Sequence, residues 1–63
     1  MIKSIYVQDR GLIEVGTPRD GENIFEQIVQ INEFTYSGYR GGKVVCQWNA
    51  AYVIEVRLFE EEN

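Results

Sequence analysis

The sequence predicts an α+β domain of order ββαββ, an antiparallel sheet of two hairpins with one helix packed on one face. Three observations lead there: a glycine-closed turn at 9–11 between two alternating apolar runs, one stretch of helical periodicity over 17–34, and a second pair of alternating runs near the C-terminus. The alternative is a five-strand β-meander or SH3-like barrel in which 28–36 is a strand.

Residues 2–8 and 12–15 make the first expected hairpin, joined by Asp9, Arg10 and Gly11, with glycine where a positive φ is needed. That loop length sets Val7 opposite Ile13 and Ile5 opposite Val15 on one face. Ser4, Tyr6, Gln8, Leu12 and Glu14 take the other.

The helix over 17–34 opens on Thr17 as N-cap, Pro18 at the first helical position and Asp20 near the positive end of the dipole. At about 100° per residue, Ile24, Phe25, Ile28, Val29, Ile31 and Phe34 share one broad side, and Arg19, Glu22, Glu26, Gln30 and Glu33 gather opposite. Gly21 and the β-branched residues weigh against it. The helix is expected to stop before 37–42, whose three glycines read as a C-cap and a mobile turn.

The second hairpin is expected from strands 43–48 and 52–59. A three-residue connection at 49–51 pairs Trp48 with Tyr52, Cys46 with Ile54 and Val44 with Val56, and makes one face wholly apolar. The charged end, Glu60, Glu61 and Glu62, is expected to fray.

At 63 residues the chain is one small domain, 1–63, of a size that buries only about 60% of its unfolded surface. An apolar fraction of 44% favours folding over disorder. A lone cysteine, Cys46, and the absence of histidine exclude an intrachain disulfide and leave no basis for a zinc site, which fits a reducing, cytoplasmic compartment. The apolar runs are too short for a signal peptide or a membrane span. The formal charge of −4 disfavours non-specific binding to nucleic acid or an anionic membrane.

Little here supports catalysis. There is no histidine, serine occurs only at Ser4 and Ser37, and no acidic pair lies in an evidently apolar setting; no enzyme activity and no cofactor are expected. The stretch from Gly38 to Lys43 is one residue short of a phosphate-binding loop, has Val44 where Ser or Thr is needed, and precedes a strand. Two partner surfaces stand out instead. One combines Tyr36, Tyr39, Arg40, Lys43 and Trp48, residue types that serve protein interfaces and, less well in an acidic chain, single-stranded nucleic acid. The other is an acidic helix ridge of Glu22, Glu26 and Glu33 that could dock on a basic groove. Leu12, Val45, Val53 and Phe59, apolar residues that one helix cannot cover, are candidates for a homodimer interface.

In size, acidity and lack of catalytic residues the chain is similar to small phage and mobile-element proteins that inhibit a host protein, anti-CRISPR proteins and polymerase inhibitors among them. The resemblance implies a non-enzymatic protein-binding module that occludes a site on a larger protein. The alternatives are a small nucleic-acid-binding module using 36–48 and a structural homo-oligomer subunit.

Overall fold

The computed structural model describes residues 1–18 and 24–60. The elements run β1 (Ile2–Val7), β2 (Gly11–Glu14), β3 (Gln27–Asn32), β4 (Thr35–Arg40), β5 (Lys43–Asn49), a single 3₁₀ turn η1 (Ala50–Tyr52) and β6 (Val53–Leu58). They form two three-stranded antiparallel sheets of order β2-β1-β6 and β3-β4-β5. Ile5, Val7 and Ile13 from the first sheet meet Ile28, Tyr36 and Trp48 from the second in one core, so the sheets pack against each other.

This overturns the ββαββ expectation. No α-helix forms among the described residues, and 27–32, assigned to the helix, is a strand. Its backbone is satisfied by β4, with Ile28 opposite Gly38 and Val29 opposite Ser37, and its β-branched side chains suit a pleated surface. Of the six residues expected on the buried helix side, only Ile28 is fully buried; Ile24, Ile31 and Phe34 are exposed. Thr17 does not signal a helix start in the way expected: its hydroxyl turns back to donate to the Glu14 carboxylate (2.9 Å). Asp20 and Gly21 lie outside the described residues. The all-β alternative is right about the class and about a strand at 28, but it runs 28–36 as one strand where β3 and β4 are two, so that six strands, not five, divide between two sheets among the described residues.

The first hairpin exists with a different register. Ile5 pairs with Ile13 and Val7 with Gly11, two residues from the expected pairing, because Gln8, Asp9 and Arg10 form the turn and Gly11 is already in the strand. Asp9 takes the left-handed conformation (φ 67°), and Arg10 N–H donates to the Val7 carbonyl at 3.0 Å. A two-residue slip preserves the faces, so Ile5, Val7 and Ile13 are buried while Tyr6 and Leu12 are exposed. Ser4 is the exception. Lys3 is an extra residue between the Ile2 and Ser4 pairings, and Ser4 is buried where alternation put it outside.

The loop expected at 37–42 is mostly the central strand of the second sheet. Only Gly41 and Gly42 turn, both with positive φ (60° and 76°), as a two-residue hairpin of this hand requires. Gly38 has another purpose: a Cβ there would stand 2.6 Å from a Phe25 ring carbon and 2.8 Å from a Trp48 ring carbon. The two rings meet edge to face over it, centroids 5.3 Å apart. It is a packing gap in a strand.

The second expected hairpin does not form. Asn49 caps η1, its side chain accepting from Ala51 N–H at 2.8 Å, and the chain leaves β5 for the other sheet. There β6 pairs with β1, Val53 opposite Val7 and Val56 opposite Ile5. Against β1 the alternating pattern of 52–59 is only partly covered: Val53 packs against the core, while Ile54, Val56 and Leu58 are exposed.

Replacing Gly38 with Ala should lower stability by about 1–3 kcal/mol, read as a fall in the urea midpoint, because a ring or the strand must shift. Gly16→Ala, where φ is 80° and an added Cβ would meet no atom of the other described residues within 4 Å, should cost only backbone strain, about 1–2 kcal/mol. Adding Phe25→Leu to Gly38→Ala should recover part of the first loss and none of the second.

Candidate functional site

Where the β1–β2 turn faces the end of β5, the surface opens into a cleft of about 390 Å³. Val7, Gln8, Asp9 and Arg10 line one side; Gln47, Trp48, Asn49 and Tyr52 line the other. Trp48 is nearly buried and forms part of the apolar lining, whereas Tyr52 is 55% exposed. Local backbone chemistry fixes the walls. Gln8 N–H donates to the Tyr52 carbonyl (2.7 Å), tying η1 to the end of β1, and Ala50 N–H donates to the Phe34 carbonyl (2.8 Å), tying it to the β3–β4 turn. The Asn49 cap sets the direction in which Tyr52 leaves the sheet.

The cleft offers one exposed aromatic ring, Tyr52, an apolar floor that includes the edge of Trp48, amide side chains that donate and accept, and one carboxylate and one guanidinium side by side in sequence. A second depression of about 510 Å³, lined by Lys3, Arg57, Leu58, Phe59 and Glu60, lies at the far end of β6. Among the described residues, no group of three or more His, Cys, Asp or Glu gathers to hold a metal ion, and no helix is long and apolar enough to cross a membrane.

The partner residues expected from sequence do not share one surface. Tyr36 is in the core opposite Trp48, and Tyr39 is half-buried between Gln27 and Val44. Arg40 and Lys43 are exposed, flanking the Gly41-Gly42 turn. Glu26 is at that same tip, its carboxylate accepting from Gly41 N–H at 3.2 Å. Glu33 follows β3 at its other end, about 20 Å away along a six-residue strand, and Glu22 lies outside the described residues. The acidic ridge required a helix that 27–32 does not form. Of the residues expected at a homodimer interface, Leu12 is exposed on β2 and Val45 on β5, in different sheets; Val53 packs half-buried against the core, and Phe59 is exposed just beyond β6.

Of the cleft residues only Trp48 is singled out by the sequence, and with the 36–43 residues rather than with these neighbours. Asp9 and Arg10 read only as turn residues, and Asn49 and Tyr52 as parts of a hairpin. The available signal was Asn49 itself, a good capping residue followed by two alanines.

Comparison with family models, curated proteins and solved structures finds no match for this chain.

Asn49→Ala should remove the η1 cap at a cost of about 1 kcal/mol, measured by chemical denaturation, and should broaden or shift the backbone amide signals of Ala51 and Tyr52. Asn49→Asp, which keeps the acceptor, should retain both stability and amide positions.

Proposed function

We propose that this protein is a non-enzymatic protein-binding module that takes a segment of a larger protein into the Trp48–Tyr52 cleft and thereby occludes it. The observation that carries this reading is the cleft's composition: an exposed tyrosine, Tyr52, over an apolar floor to which the buried Trp48 contributes, with Asp9 and Arg10 on the lining. Tyrosine and arginine are among the residue types that supply most binding energy at protein interfaces. A segment with an apolar anchor and polar flanks fits such a lining. The similarity in size and acidity to phage and mobile-element inhibitors agrees with it, as does a cytoplasmic compartment for a chain with one half-buried thiol.

Nucleic acid suits these surfaces less well. Stacking needs accessible ring faces, but Tyr36 and Trp48 are in the core, and the basic pair Arg40 and Lys43 stands beside Glu26 in a chain of net −4.

Trp48 is the only tryptophan, so its fluorescence reports on the cleft. Peptides selected by the nuclease-treated protein from a random display library should change that emission and move the amide signals of Gln8, Arg10 and Tyr52. Tyr52→Ala and Arg10→Glu, both at exposed positions, should each weaken those peptides at least about tenfold, the scale of an interface anchor. Selected peptides that bind both variants undiminished, or retention of nucleic acid alone, would overturn the proposal.

A further inference from the structure

The core of the first sheet runs out at β6. Ile5 is 0% exposed, but its cross-strand partner Val56 is 37% exposed and Leu58 63% exposed. Ile54, the extra residue between the Val53 and Glu55 pairings, is 65% exposed. The apolar face of this sheet thus extends beyond what the second sheet covers. Beyond it, among the described residues, no strand pairs with the outer side of β6.

The outer backbone of β6 is presented for pairing. Phe59 N–H donates to the Met1 carbonyl, toward β1. Alternation along the strand therefore turns the N–H and C=O of Leu58 and Val56 outward. Between them Glu55 and Arg57 share the opposite face, Arg57 Nε donating to Glu55 Oε1 at 2.6 Å. The strand thus carries one anion and one cation that cancel, which leaves no net charge to repel an approaching strand of the same kind.

The geometry points to a second copy of this chain as the occupant of the β6 edge, in an antiparallel pairing with Val56 on the two-fold axis. In that register Val56 exchanges both backbone hydrogen bonds with Val56 of the second copy. Glu55 stands opposite Arg57 of the second copy, and Ile54 opposite its Leu58, so every charge meets its opposite and every apolar side chain meets another. The intrastrand Glu55–Arg57 pair becomes a closed ring of four alternating charges. The two overhanging apolar faces become contiguous, and the sheets join as one of six strands, β2-β1-β6 continuing into β6-β1-β2. The other edge strands do not offer this: β2, β3 and β5 each lack a cation and an anion placed symmetrically about a central residue. The interface is independent of the cleft and stands whether or not the cleft binds a peptide.

The test uses the full chain in sedimentation equilibrium over a range of concentrations, where the wild-type mass should rise from one chain to two. Glu55→Arg and Arg57→Glu should each raise the dissociation constant at least about tenfold, since each change faces like charges twice across the axis. Mixed in equal amounts, the two variants should restore the dimer as a heterodimer, because each carries the charge the other lacks. Net charge cannot cause this: −4 + 2 = −2 and −4 − 2 = −6, so both variants remain negative and repel at long range. On association the amides of Val56 and Leu58 should become protected from hydrogen exchange, while that of Phe59 should be protected throughout. A wild-type chain that stays monomeric, single variants that dimerise as well as wild type, or a mixture that does not pair would each overturn the inference.

Discussion

The contact on which most of the structure depends is the closure of two aromatic rings over a strand with no side chain in the way. Phe25 and Trp48 meet edge to face above Gly38, and their approach brings the entry to β3, the middle of β4 and the end of β5 into one packed unit. With only six buried apolar side chains in the described core, the loss of one ring contact removes a large share of the packing. Ser37, wholly buried beside this gap, keeps its hydroxyl satisfied by accepting from Gln47 Nε2 (3.1 Å), so the second sheet is closed by polar pairing as well as by rings.

Trp48 also joins the core to the surface. Its ring is part of the apolar interior and part of the cleft lining, and the residue after it, Asn49, begins the turn that sends the chain to the other sheet. The same few residues therefore set the packing of one sheet, the crossing to the next and the shape of the cleft. That economy follows from size: a chain this short has few side chains to spare for separate tasks.

The parts of the fold legible in the sequence are those fixed by nearest neighbours. Alternation placed Ile5, Val7 and Ile13 inside and Leu12 outside, and it recognised 43–48 and 52–59 as strands, because period-two patterning is a property of the strand itself. Partner choice is not. Nothing in 52–59 distinguishes β5 from β1, since either offers an apolar face, and the decision rests on a three-residue capped turn. The segment 24–34 misled because an edge strand and the turn after it leave Ile31 and Phe34 exposed, which scatters the apolar positions until they imitate a helical stripe. Gly38 misled for a different reason: a glycine that makes room for two rings has the same letter as one that bends a loop. The cleft inherited these errors, because its two sides come together only through the β5-to-β6 crossing.

The pairing of β1 with β6 has a kinetic side. Ile2 lies opposite Leu58, so the first sheet is completed only when elements from nearly opposite ends of the described chain meet, whereas β1–β2, β3–β4 and β4–β5 each close over a few residues. Loop-closure entropy makes such a contact late, and chains rich in distant pairings fold more slowly than those built from local ones. During that interval β1 has one edge unpaired while the rest of the protein can already be formed. The topology thus favours the local hairpins ahead of the β1–β6 pairing that closes the sheet.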